Sequence, residues 1–442
     1  MVRFTVDRAG NAEDPSGFQI LFRDSLYGLR SGDTLVVRDV APGSYTARLA
    51  DVAAHCFTHA DTLGLTIRGA VTTTAGFRVE CYGDFLYSEW YGQYVDQLFY
   101  MDARGVRRKL TPAQDGGQWG ATWSPDGSSV AFVKTTPGDQ DVYVVDLHGT
   151  MRALAAIPGE GESDLDWSPD GRWIAYGLRD SAAGAFTRSN LHLVRPDGSE
   201  DRVVLPGERL DLGPVWSPDG AWLAFACWRP QQTICLVHPD GTGLTVAPVT
   251  LSLPQHLQWS PDGSRLSFES FVGGRQAVQI LRLADWSVVN TTPDRVGYGI
   301  SRWSPDGAAL VVSTGDAGNW GLEVHDADGG GRRVLTNALR WGASWSPDGG
   351  RILFGASAAS AVDLASPDGG DPHSLVMGGQ TVLNAFWRPA PKPGGPAPTR
   401  APTILGPLPA RRPEVASIAS SACRYVALEG GRAGYRALCA GR

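Results

Sequence analysis

Between residues 84 and 390 the apolar positions fall into short runs. Examples are Val130-Ala-Phe-Val, Trp173-Ile-Ala-Tyr, Leu223-Ala-Phe-Ala, Leu266-Ser-Phe-Glu, Leu310-Val-Val-Ser and Ile352-Leu-Phe-Gly. Runs of this length, bounded by turn residues, read as buried strands. Each follows a Trp-Ser-Pro-Asp-Gly pentapeptide, which begins at Trp123, Trp167, Trp216, Trp259, Trp303 and Trp345, with a degenerate copy at Trp387-Arg-Pro. Pro fixes φ at the first central turn position, Asp suits the second, and Gly takes the positive-φ site that follows, so the motif predicts a tight hairpin turn. Each run is followed by a second strand ending in an Asp/Gly turn, as in Asp141-Val-Tyr-Val-Val-Asp, Leu191-His-Leu-Val-Arg-Pro-Asp-Gly and Ile234-Cys-Leu-Val-His-Pro-Asp-Gly. With a closing fourth strand, the period holds four strands.

The motif spacings are 44, 49, 43, 44, 42 and 42 residues, the length one four-stranded propeller blade consumes. The ends of the array complete each other. Phe85-Leu-Tyr-Ser-Glu-Trp, Leu98-Phe-Tyr-Met-Asp and Val106-Arg-Arg-Lys-Leu match strands two to four of a blade, and Asn384-Ala-Phe-Trp-Arg-Pro matches a first strand. Joining them predicts an all-β, seven-bladed β-propeller closed by pairing carboxy-terminal with amino-terminal sequence, which removes exposed sheet edges. Six blades, with the flanking pieces packed elsewhere, is the alternative.

These copies resemble the TolB-like β-propeller repeat over about residues 84–390. The resemblance implies the fold and leaves the function open, because such propellers serve both as binding proteins and as domains of peptidases. Residues 1–82 form a separate module of alternating strands, expected to be a small β-sandwich. Its segments Val40-Ala-Pro-Gly-Ser-Tyr-Thr-Ala, Val52-Ala-Ala-His-Cys and Phe77-Arg-Val-Glu-Cys are similar to prealbumin-like or immunoglobulin-like modules of bacterial cell-surface proteins. Residues 391–413 are a Pro-rich linker, and residues 414–442 a short tail containing Cys423 and Cys439.

Composition narrows the function. Of 442 residues, 42% are hydrophobic and 19% charged, with 55 Gly, 30 Pro and 15 Trp, which suits many short strands and disfavours long helices. A net charge of -7 supplies no basic field for phosphate, so nucleic acid is not an expected partner. No stretch is apolar enough to span a bilayer. The amino terminus reads as a strand and not as a secretion signal. The six cysteines nonetheless fall into three local pairs, Cys56 with Cys81, Cys227 with Cys235, and Cys423 with Cys439. Disulfides persist in oxidising compartments, so an extracytoplasmic location is expected, with buried free thiols as the alternative. None of the pairs has the spacing of a zinc or redox site, and no cofactor or metal is expected.

Catalytic motifs are absent: no G-x-S-x-G elbow, H-E-x-x-H helix, Walker loop or dinucleotide fingerprint occurs. Peptidase relatives of the propeller need a hydrolase domain of some two hundred residues for which neither end has room, and an enzyme is not expected. The Asp of each pentapeptide, one per turn, reads as turn chemistry and not as a calcium ligand. Binding is expected where the first strands begin, at the channel mouth. The candidates there are Trp119, Asp164, Asp166, His256, Arg302 and Trp341, with Gln258 nearby. They suit a protein, peptide or glycan partner. Two other functions stand beside this one: a self-assembling surface fibre or layer, and a propeller lyase or glycan hydrolase using Asp164, Asp166, His256 and Arg302.

Overall fold

The computed structural model describes residues 1–9, 18–30, 33–50, 56–58, 62–69, 71–90, 96–112, 117–136, 139–155, 161–179, 189–206, 212–292, 296–297, 301–316, 319–336, 340–356, 361–370, 372–376, 381–389, 423–427 and 435–439. Among them every helical or extended element is a β-strand. No helix of the described residues is long and apolar enough to cross a membrane.

Each Trp-Ser-Pro-Asp-Gly copy builds its own turn. In the first, Gly127 donates its N–H to the Ser124 carbonyl at 2.8 Å and takes a φ of 66°. The Ser124 hydroxyl donates to Asp126 Oδ1 at 2.6 Å and accepts the Ser129 N–H at 3.0 Å. The pattern recurs at Ser168, Ser217, Ser260, Ser304 and Ser346. Hydrogen bonds from the Ser304 hydroxyl and the Ala308 N–H hold the Asp306 carboxyl below the usual range. The Asp side chains are thus consumed by their own turns, as turn chemistry predicts.

These turns organise antiparallel four-stranded sheets that follow one another along the chain at residues 117–155, 161–205, 212–246, 255–290, 296–336 and 340–376. In the 296–336 sheet the innermost strand is split into Val296–Gly297 and Arg302–Trp303. A further sheet has the order Arg107–Lys109, Asp96–Met101, Phe85–Trp90, Thr381–Trp387, so its innermost strand comes from the far end of the array. This joins the two ends in the register Trp387 to Phe85 and Val382 to Glu89. Arg388 locks the joint by donating its N–H to the Asp84 carbonyl at 2.7 Å and its Nε–H to the Gly127 carbonyl at 2.9 Å. Tyr100 donates to the Asp84 carboxylate, and burial with that partner pushes its phenol well above the ordinary range.

The motif tryptophans rivet neighbouring sheets. Trp167 donates its indole N–H to the Thr122 carbonyl at 3.3 Å, Trp259 to Val215 at 3.1 Å, Trp303 to Gln258 at 3.3 Å and Trp345 to Arg302 at 3.0 Å. Trp123 repeats the bond across the joint, to the Phe386 carbonyl at 3.4 Å. In each case the acceptor lies one residue before the preceding sheet's Trp. The rings of Trp123, Trp167, Trp259 and Trp303 are buried and that of Trp345 is partly buried, and the core is a series of layers between sheets, such as Ala131, Val133, Trp167, Ile174 and Tyr176.

In residues 1–81, two four-stranded sheets enclose one core containing Val2, Phe4, Val6, Phe18, Ile20, Phe22, Phe77 and Val79. The burial of every second residue from Val2 to Val6 is the period-two pattern of a strand with one inward face. Of the cysteine pairs, Cys227 and Cys235 form a disulfide between adjacent strands. Cys56 stands opposite Cys81, and Cys423 opposite Cys439, in backbone register. Their side chains, residues 391–413 and most of the tail lie outside the described residues.

Candidate functional site

The inner strands carry the site, and a bulge aims it. Pairing with the next strand shifts register between Trp119 and Thr122, Ser163 and Asp166, Leu212 and Val215, and Gln255 and Gln258. A bulge bends its strand and re-aims the side chains beyond it. The residues just before the motif Trp are Thr122, Asp166, Val215, Gln258, Arg302, Ser344 and Phe386; the carbonyls of Thr122, Val215, Gln258, Arg302 and Phe386 accept a neighbouring indole N–H, whereas the Trp216 and Trp387 indoles make no such bond.

Asp166 and Arg302 belong to sheets that are not neighbours, yet each lies in the other's field. The Arg302 guanidinium also stands 6.0 Å from the ring of Phe386, in the sheet that joins the ends. Contacts that skip intervening sheets place these side chains on the central axis. Both are partly accessible to solvent. Asp166 Oδ2 accepts the Trp216 N–H at 2.7 Å. Burial pushes the Asp166 carboxyl up to about 7, against the opposing pull of hydrogen bonds from the Trp216 and Trp167 N–H groups and of the Arg302 charge. Burial also lowers Arg302 to about 10, with Asp166 opposing, so it is a cation at neutral pH. Arg302 Nη1 donates to the Ser301 carbonyl at 3.3 Å. In the amide orientation that satisfies both of its ends, Gln258 accepts from Arg302 and donates to the Ser301 carbonyl at 2.8 Å.

Of the six residues expected at the mouth, the structure therefore brings Asp166 and Arg302 together. Trp119 is 36% exposed, and its indole donates to Thr135 Oγ1 at 3.0 Å. His256 has a different partner, the buried Glu269, whose Oε2 is 3.4 Å from Nδ1. Glu269 and Phe386 escaped the sequence reading. For Glu269 the signal was its departure from the small or aliphatic residues that other repeats hold at the equivalent place. The side chains of Asp164 and Trp341 lie outside the described residues. Among the described residues no cluster of His, Cys, Asp or Glu is arranged to hold a metal ion.

Asp166 makes stability depend on pH. Its folded-state value near 7 lies above the unfolded value of about 3.9. The native state therefore binds the proton more tightly, and stability falls as pH rises from about 4 to about 7. Asp166→Asn is expected to be more stable than the native chain at pH 8, by about 2 to 4 kcal/mol, with the gap closing toward pH 4. Urea unfolding at both pH values measures this; an equal gap at both would contradict it.

Residues 212–390 match the TolB beta propeller domain. Over those residues the chain is similar to a TolB-like propeller. No curated protein matches it. Among solved structures, puromycin hydrolase is similar at 18% identity and a TM-score of 0.53, over 67% of this chain and 52% of that one. An oligogalacturonate lyase in complex with manganese is similar at 16% identity and a TM-score of 0.51, over 74% and 94%. TolB from Acinetobacter baumannii aligns at 17% identity and a TM-score of 0.46, over 70% and 83%. Identities this low speak for the β-propeller fold alone.

Proposed function

We propose that this chain is a non-enzymatic, extracytoplasmic binding protein. In this reading a seven-bladed TolB-like propeller presents its channel mouth to a protein, peptide or glycan. The observation that carries it is the charged pair on the axis. A carboxylate and a guanidinium desolvated in each other's field without a hydrogen bond between them cost stability, since desolvation is repaid only by close pairing. Perturbed charges held in a concave site are characteristic of ligand recognition. The extracytoplasmic part rests on the buried Cys227–Cys235 disulfide, a bond that persists in oxidising compartments.

Immobilised native protein and an Asp166→Asn/Arg302→Gln variant, each challenged with peptide and glycan libraries, test the proposal. A ligand held by the native protein and weakened at least tenfold in the variant is the expected result. Equal retention by both would move the binding site away from the channel, and chemical turnover of the captured ligand would overturn the non-enzymatic reading.

A further inference from the structure

The innermost strands place one residue of every sheet in an equivalent position. Thr122 stands opposite Ala131, Asp166 opposite Ala175, Arg302 opposite Val311 and Phe386 opposite Leu86, each one step before the pairing of its motif Trp. Of the residues at this position only Asp166 and Arg302 are charged. Each lies in the other's field, with no hydrogen bond between them, although the 212–246 and 255–290 sheets come between theirs along the chain. Both hydrogen bonds from the Arg302 guanidinium leave from Nη1, to the Ser301 carbonyl and to Gln258. No described residue uses the Nε–Nη2 edge, the fork that meets a carboxylate side-on. There is room nearby: a Cβ added at Gly120, two residues before Thr122, would meet nothing within 4 Å. Two opposite charges held in one another's field but left unjoined are a poor choice for stability alone. They complement a ligand that offers an acceptor and a donor together.

We propose that this pair holds the carboxyl end of an amino-acid residue, with the α-carboxylate on the Nε–Nη2 edge of Arg302 and the nitrogen of the same residue donating to Asp166. The inference rests on the axial pair being the binding site, and it names the chemistry that the site takes. A bare carboxylate would satisfy Arg302 but add a like charge beside Asp166, and a bare ammonium would do the reverse. A peptide group in mid-chain offers only neutral partners, which leaves Arg302 without a counter-ion. An α-carboxylate whose own residue carries an N–H presents acceptor and donor from a single carbon atom, so one small group reaches both side chains. The Phe386 ring, 6.0 Å from the guanidinium carbon, gives the side chain of that residue an apolar neighbour. Leucine or phenylalanine suits this place better than a charged residue does.

Calorimetric titration of the native protein with L-leucine, acetyl-Gly-Gly-Ala-Leu and acetyl-Gly-Gly-Ala-Phe, each beside its carboxyl-terminal amide, tests this. At least one free acid is expected to bind, and its amide to bind at least about tenfold more weakly. Taking away the N–H, by N-methylation of the last peptide residue or with 4-methylpentanoate in place of leucine, should cost a similar factor. These changes are made in the ligand and read on the native protein, so they need no variant to fold. Two variants then assign the partners. In Arg302→Gln the acid should fall to the level of its amide, and in Asp166→Ala to the level of its analogue without the N–H, a coupling that a merely structural role would not produce. No binding by any free acid, an amide that binds as well as its acid, or an acid that still exceeds its amide about tenfold in Arg302→Gln would each overturn the proposal. Binding by leucine supports a free amino acid as the source, and binding by the tetrapeptides alone supports a chain end. If the library ligand lost in Asp166→Asn/Arg302→Gln has no carboxyl end and the acids do not bind, this inference falls and the channel-mouth reading stands. If that variant keeps the library ligand while acids and amides divide as stated, the reading falls and this site stands.

Discussion

Ending the chain at residue 379 is expected to leave a protein that neither melts cooperatively nor runs at monomeric mass, whereas a chain ending at residue 390 does both. The difference is the strand Thr381–Trp387 and its latch. Without it, Phe85–Trp90 becomes an open edge, a template for pairing with another chain. The layer between the 340–376 sheet and the joint loses Val382, Ala385 and Trp387. Burying one Trp removes about 200 Å² from water, worth about 5 kcal/mol gross, against a net stability of about 5 to 15 kcal/mol for a whole domain. The Trp123 indole also loses its acceptor at Phe386, and Arg388 no longer spans Asp84 and Gly127. Light scattering after size exclusion and a thermal melt read the outcome. A 379-residue chain that melts like the 390-residue one would show that the ring does not depend on this joint.

The propeller was legible because its signals are local. Pro, Asp and Gly act within one turn, and every turn is read without knowing its neighbours. The joint was legible for the same reason, as half-blades at the two ends. Two strands of residues 1–81 carry little mark in the sequence. Ser25–Leu29 is reached through Arg23 and Asp24, both at positive φ, a hairpin turn made without the Gly or Asn that usually announces it. Cys56–Thr58 is too short to show a pattern. At the site, the expectation that binding lies where the inner strands begin named both Trp119 and Asp166 without separating their surroundings. The bulge puts the residue immediately before the Trp on the axis, and its register shift has no fixed sequence mark. The meeting of Asp166 with Arg302 depends on the ring having formed around both, and the pairing of His256 with Glu269 depends on strand register. Neither is contained in any window of the sequence.

His325→Ala is expected to destabilise the native state by about 3 kcal/mol, the lower end of what breaking a buried ion pair costs. His325 and Glu323 are almost wholly buried, with Nε2 2.9 Å from Glu323 Oε2. Nδ1 stands 2.9 Å from the Thr291 carbonyl, at the end of the preceding sheet, so it donates there. The imidazole's other nitrogen then faces a carboxylate with a second proton between them, and the pair ties the 255–290 sheet to the 296–336 sheet. Alanine leaves a cavity, takes the donor from Thr291 and removes the imidazole from a buried acid. Arg332, whose Nε is 3.8 Å from the same oxygen and which is partly exposed, can move closer and recover part of the loss. The cost is therefore placed at the lower end. The sign of a second variant separates charge from packing. If the orphaned carboxylate dominates, His325→Ala/Glu323→Ala is more stable than His325→Ala alone, because it removes the charge that lost its partner. If the cavity dominates, the double variant is less stable, since it deletes further buried atoms. Denaturant unfolding of the two variants beside the native chain decides between them, and the charge argument requires the first result.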